Sequence, residues 1–158
     1  MTMHVDPNVK FGKNCKIGNF CIIEENVIIG NNVEIKNYVE LRSGTIIGNN
    51  VYIDSYVRSS GENFIKDGAI LRFGCTIARG VTVGKYAFIA PNVMTIYDEL
   101  LFKKKGGTYI GEYAKIFTAA VIGPSVTIGR GVIIGAQAYV NKDCIEPGTY
   151  IGVPARKI

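Results

Sequence analysis

A chain of 158 residues with 47% hydrophobic content is long enough to close one continuous core. Its formal net charge of +5 would suit a polyanion, yet the basic residues are dispersed; the one run, Lys103, Lys104 and Lys105, reads as a solvated loop tip, so a nucleic-acid partner is not expected. No apolar run approaches the about 20 residues that span a bilayer, and the first residues lack the basic start and apolar stretch of a signal peptide, so a cytoplasmic protein without a membrane partner is expected.

From Val5 onward a period of six organises the chain. Every sixth residue is large and apolar: Phe11, Ile17, Ile23, Ile29, Ile35, Leu41, Ile47 and Ile53, then Ser59 as the one exception, then Ile65, Leu71, Ile77, Val83 and Ile89. The register breaks and resumes at Ile110, Ile116, Ile122, Ile128, Ile134 and Val140. Four residues after each stands a small residue, from Val9, Cys15 and Cys21 to Ala120, Ala138 and Cys144, with Asn63 the exception. A large and a small side chain pointing inward along a short strand make one flat face. Gly or Asn then supplies the positive φ of a tight corner. Three hexads close a triangular coil of 18 residues, each coil pairing its backbone with the next. A helix of period 3.6 cannot hold this register, and the spacing is too short for sandwich strands. Coils over 5–94 and 110–145 make about seven turns, roughly 34 Å tall at about 4.8 Å each. The domain reading is thus one β-helix domain over 1–158, with a loop at 95–109 and a C-terminal cap at 146–158.

Two stretches break the pattern. Residues 59–64 keep the length of a hexad but carry Ser59 and Asn63 at the inward positions, which predicts side chains turned in and hydrogen-bonded, or a bulged corner. Residues 95–109 replace one hexad with fifteen residues. An excursion from a regular solenoid lies on one face and often carries function. The four cysteines, Cys15, Cys21, Cys75 and Cys144, all fall at the small inward position and read as core fillers, with no disulfide and no metal site expected.

Residues one full coil apart lie one above another. Tyr38, Tyr56, Gly74 and Asn92 form one outward column; Lys36, Asp54 and Arg72 form a second, and Arg58 stacks near Glu40. These columns are either a surface ladder of ion pairs or the lining of a cleft, in which Tyr56, Arg72 and Asn92 would meet substrate and Arg72 would suit a diphosphate.

The hexad pattern, the segment Ile122-Gly123-Pro124-Ser125-Val126-Thr127-Ile128-Gly129, the stretch Val140-Asn141-Lys142-Asp143-Cys144 and the ending Ile151-Gly152-Val153-Pro154-Ala155-Arg156-Lys157-Ile158 resemble the hexapeptide-repeat acyltransferases. Ala90-Pro91-Asn92-Val93, the excursion and Gly107-Thr108-Tyr109-Ile110-Gly111 are most similar, within that family, to the N-acetyltransferases of amino-sugar nucleotides. The resemblance implies an all-β, single-stranded left-handed parallel β-helix; spacing alone would have favoured the usual right-handed crossover. It also implies a homotrimer and acetyl-CoA as co-substrate, held between neighbouring prisms. Carried onto this chain, Ala120, Gly135 and Ala138 would lie along the acyl-pantetheine arm, and Lys142, Pro154 and Arg156 near the nucleotide end.

Many members use a histidine as general base. This chain has only His4, ahead of the first coil. That excludes the three-histidine zinc site of a related carbonic anhydrase class and disfavours the serine and xenobiotic acetyltransferases of this fold. Two routes remain. The acceptor is an amine that arrives unprotonated or loses its proton to water, with Asn92 or Tyr97 holding it, or Asp98 is the base, its pKa raised by burial. The reading is an acetyltransferase acting on an amino sugar, nucleotide-linked, without a catalytic histidine. Sugar O-acetylation and a non-catalytic β-helical scaffold are its alternatives.

Overall fold

The computed structural model describes residues 3–97 and 107–158. They form twenty-four strands, from β1 (His4–Val5) to β24 (Arg156–Lys157), nearly all of two residues. Successive strands turn through three parallel sheets, here faces A, B and C, of eight, seven and nine strands. The result is the left-handed β-solenoid that the hexad pattern and the family resemblance led us to expect.

The backbone explains the stacking. Each strand leaves N–H groups that its own short segment cannot satisfy, and these donate one coil onward: Lys36 N to Ile53 O at 2.8 Å, Asp54 N to Leu71 O at 2.9 Å. The large hexad residues from Ile23 to Val140 point into the prism and are almost completely buried, with the small ones filling the corners between them. Corner residues adopt positive φ, and many are not glycine. Phe20, Tyr38 and Tyr56, with φ of 59°, 59° and 62°, occupy successive turns of one corner. Their rings stack at 5.0 and 4.9 Å, contacts that offset the cost of a left-handed backbone in bulky residues.

The first irregular hexad resolves into a closed network. Ser59 and Asn63 are turned inward and buried, and Ser59 Oγ donates to Asn63 Oδ1 at 2.6 Å. Thr45 Oγ1 shares a hydrogen with Ser59 Oγ at 2.7 Å, and Asn63 Nδ2 donates to Ala78 O at 2.5 Å. Cys21, Cys75 and Cys144 are buried, Cys15 is half-buried, and all four are free thiols.

Three expectations need correction. The solenoid has about eight turns rather than seven, because the presumed cap continues it: β23 (Thr149–Ile151) adds in parallel to β21 (Ile133–Ile134), and only β24 reverses, pairing antiparallel with β23. Periodicity hides this turn because it closes two positions early: Ile128 faces Cys144 and Ile133 faces Thr149. Cys144 therefore stands opposite a large residue's slot, and Tyr150, facing Ile134, fills the next. The excursion is also shorter than expected. Thr95 pairs with Ile122, and Tyr109 with Thr82 and Thr127, so both are strand residues. They escaped the pattern because buried hydroxyls at Thr95 and Thr108 replace the aliphatic residues of the repeat.

Asn63→Ala should cost about 1–3 kcal/mol in denaturant unfolding, since it strips partners from the buried Ser59 hydroxyl and the Ala78 carbonyl. Ser59→Ile combined with Asn63→Val, which restores the hexad, should recover most of that loss. Burial pushes the Cys75 thiol up from 9.0 to about 12. A raised folded-state value means stability present below 9.0 and lost as pH climbs toward 12, so Cys75 should resist alkylating reagents near neutral pH in the folded protein, while Cys15 reacts.

Candidate functional site

Two corners border face A. The C–A corner carries residues 36–39, 54–57, 72–75, 90–93, 117–120 and 135–138; the A–B corner carries 42–45, 60–63 and 78–81, and the excursion departs from it after Thr95. Thr95 closes β16 (Met94–Thr95) on face A and Tyr109 opens β17 (Tyr109–Ile110) on face B.

Both roots of the excursion are tied down. Thr95 Oγ1 accepts from Ala78 N at 2.6 Å and lies 3.2 Å from Thr76 O, to which it donates. Thr108 Oγ1 donates to Gly123 O at 3.0 Å. At Gly107 the backbone presses on Gly80 so closely that a Cβ would collide with the Gly80 carbonyl, and only glycine serves there. Asn92 and Tyr97 stand at opposite ends of β16, both exposed, on the two borders of face A. Asn92 holds φ of 58° on the C–A corner, above a Gly74 whose φ is 66° and where an added Cβ would lie 2.7 Å from Asn92 Oδ1. Tyr56 is in the same column, two turns lower and half exposed. Asp98 lies outside the described residues.

Arg72 shares the C–A corner but is engaged. Its Nε is 3.3 Å from Asp54 Oδ2, and its guanidinium lies 6.0 Å from the ring centroid of Tyr52, on face C. Beside it, on face A, is a feature that columns alone do not reveal. Arg58, register partner of Glu40 and Thr76, stands in the wall of two adjoining hollows. One, of about 390 Å³, is lined by Phe20, Ile22, Tyr38 and Tyr56; the other, of about 230 Å³, by Glu40, Arg42, Ser60 and Thr76. Glu40 accepts from Arg42 Nε at 2.7 Å, and that bond and charge hold the Arg42 guanidinium still more firmly protonated.

The coenzyme candidates separate. Ala120 and Ala138 are fully buried, so a ligand in the upper turns would meet only their backbone. Gly135 is on the upper C–A corner, donating to Tyr150 O at 2.8 Å. Pro154 is exposed in the turn between β23 and β24, which closes over the top of face A where Ala155 N donates to Tyr139 O at 2.7 Å. Arg156 lies exposed on the last strand of face C, while Lys142 leaves the A–B corner. Within one chain these two cations share no face. Among the described residues no three His, Cys, Asp or Glu side chains gather as a metal site, and no helix is long and apolar enough to cross a membrane.

Comparison with known proteins adds a family. The model of the bacterial transferase hexapeptide (six repeats) matches residues 8–43, 26–58 and 107–142. A galactoside O-acetyltransferase of Escherichia coli K12 is 38% identical over 89 residues, 49% of this chain and 43% of that protein. The chain spans less than half the length of the curated relatives it matches. Among solved structures, a UDP-N-acetylglucosamine acyltransferase of Francisella novicida superposes with a TM-score of 0.67 at 19% identity, covering 97% of this chain and 66% of that one. An N-acyltransferase of Bacillus cereus, solved as a mutant with dTDP-4-amino-4,6-dideoxyglucose and coenzyme A, gives 0.56 at 24% identity, covering 94% and 81%. At these identities the structural likenesses bear on the fold alone.

Thr95→Val should destabilise the protein by about 1–3 kcal/mol in urea unfolding, because the buried Ala78 N–H loses its acceptor. Thr108→Val, which deprives only a carbonyl, should cost less.

Proposed function

This chain belongs to the bacterial transferase hexapeptide family, and from that premise we propose that it is an acetyl-CoA-dependent acetyltransferase acting on an amino sugar, nucleotide-linked, without a catalytic histidine. The observation that carries the reading is the grouping around face A: Tyr97 stands where the excursion departs, Asn92 on the opposite border of β16, and Tyr56 with an aromatic hollow two turns beneath Asn92. A polar rim at the root of a long excursion, above a groove large enough for a sugar, suits an acceptor that must be oriented toward a thioester.

The reaction needs little from a base. The lone pair of a neutral amine attacks the thioester carbonyl and forms the C–N bond. The C–S bond then breaks with its electron pair on sulfur, and the amine proton leaves to water or to Asp98. Asn92 or Tyr97 orients the amine, and a backbone N–H stabilises the oxyanion. On this reading acetyl-CoA runs along the upper turns past Gly135, its phosphates near Arg156, Lys142 and the Pro154 turn. These cations share no face of one chain, so a homotrimer in which neighbours supply them to one groove fits the reading. The stacked, exposed rings of Tyr86 and Tyr113 are apolar surface that such an assembly would cover. We take the protein to act in the cytoplasm.

A second reading, acetylation of a sugar hydroxyl, draws on the likeness to the galactoside O-acetyltransferase. A hydroxyl needs a base to take its proton. The one histidine, His4, is on β1, five strand steps below β16 on the same face, about 24 Å at about 4.8 Å per step. The amine acceptor is therefore preferred.

Calorimetric titration of acetyl-CoA should give saturable binding at one site per chain, weakened about tenfold in Arg156→Ala. With amino-sugar nucleotides as acceptors, Asp98→Asn should lower turnover and His4→Ala should leave it unchanged. A folded trimer that binds no acetyl-CoA would return the protein to a scaffold role.

A further inference from the structure

The two hollows on face A meet at Glu40 and Arg58, which line both. Their chemistries differ. The smaller one is polar, with Ser60 and Thr76 beside Arg42, Arg58 and Glu40. Two guanidinium groups against one carboxylate leave it one positive charge in excess. Glu40 is engaged by Arg42, and among the described residues no carboxylate lies within ion-pair distance of Arg58. The exposed Arg58 side chain thus borders a polar hollow of about 230 Å³ with no resident counter-charge of its own.

The larger hollow is aromatic. Tyr38 is covered on one ring face by Phe20 and on the other by Tyr56, at interplanar angles of 9° and 13°. Tyr56 in turn has Tyr38 on one side and Phe73, tilted at 60°, near it. With their faces occupied, these tyrosines have ring edges and hydroxyls to offer a ligand. An aromatic edge is the electropositive rim of the ring and prefers the face of another π system. A ligand that satisfies both hollows carries an anionic group at one end and a flat, π-rich group at the other, as a nucleoside diphosphate does.

Spacing ties this to the root of the excursion. Arg58 pairs in register with Thr76, and Thr76 with Met94, so two strand steps, about 10 Å at about 4.8 Å each, separate Arg58 from β16. That interval matches the reach from a diphosphate across one sugar ring to a substituent on its far side.

We propose that the cleft between Arg42 and Arg58 holds the diphosphate of the acceptor, with Arg58 its specificity-determining ligand and the nucleoside base against the edges of Tyr38 and Tyr56. This rests on the reading of the protein as an acetyltransferase of a nucleotide-linked amino sugar, and it moves phosphate recognition from Arg72, engaged by Asp54, to Arg58. A planar guanidinium can grip phosphate oxygens in pairs, whereas the ammonium of lysine offers only a point charge.

The test titrates UDP, GDP and dTDP, and separately acetyl-CoA, into the full chain and its Arg58→Gln, Arg58→Lys and Arg72→Gln variants. Circular dichroism and thermal melts verify that each variant is folded; Arg58 is exposed, and its replacement leaves the core intact. One nucleoside diphosphate should bind at one site per chain. Arg58→Gln should weaken it by about tenfold or more, Arg58→Lys by less, and Arg72→Gln little. Acetyl-CoA affinity should be the same in all four proteins. If none of the three diphosphates binds to a protein that binds acetyl-CoA, or if Arg72→Gln and not Arg58→Gln abolishes binding, the cleft assignment is overturned and the acetyltransferase reading stands. If a diphosphate binds through Arg58 while acetyl-CoA does not bind, the assignment of the cleft survives and the acetyltransferase reading falls.

Discussion

The whole molecule depends on a backbone that must return to itself. A strand of two residues cannot satisfy its own N–H and C=O groups, and these are met only when the chain comes round to the same face one turn later. That return keeps one constant length, three hexads, through most of the stack: Glu34 meets Tyr52, and Tyr52 meets Ile70. Side chains therefore form columns, and any chemistry in the hexad is repeated along the axis. The asparagines show this at the corners. Asn14 Nδ2 donates to Asn32 Oδ1 and Asn32 Nδ2 to Asn50 Oδ1, both at 3.2 Å. Asn31 Oδ1 and Asn49 Oδ1 accept from the backbone N–H groups of Lys13 and Asn31 in the turns below.

Against this regularity the buried polar residues are informative by where they gather. Thr45, Ser59, Asn63, Thr95 and Thr108 all border the A–B corner. A lone buried hydroxyl or amide would cost free energy, but here each meets a partner, and no buried side-chain N or O among the described residues lacks one. Exchanging aliphatic filler for directional bonds gives this corner a defined geometry just where the chain must leave the prism and rejoin it. The same bonds that interrupt the repeat hold the roots of the excursion, so an irregular sequence and a candidate site share one origin.

How much could be read from the residues follows from the same geometry. The period of six and the inward alternation gave the sheets, the columns and the free cysteines, because each is a property of sequence spacing. The turn over Ser59 and Asn63 was legible as polar residues at inward slots. The last turn was not, since it closes early and Cys144 and Tyr150 shift by two places relative to the pattern. Nor was it legible that the reversal into β24 places Arg156 on face C, away from Lys142 at the A–B corner. Periodicity stacks Arg58 on Glu40 correctly, yet a cleft is made sideways, between that column and the tyrosines of the neighbouring corner. No periodicity along one column encodes that adjacency. The hand of the solenoid also came from family resemblance, because hexad spacing is the same in either hand.

Val83 pairs with Ile110, so one and a half regular turns of chain stand there in place of one, and the register then resumes without a fault. The turns on either side keep their pairing across it. Doubling the length of a chain segment between two fixed ends raises its closure cost by only about 0.6 kcal/mol, and the described core is continuous on both sides of this one. The excursion is in this sense a cartridge clipped into a rail. Under the proposed function, a change of acceptor calls for new residues there and leaves the two threonines and the glycine at its roots in place.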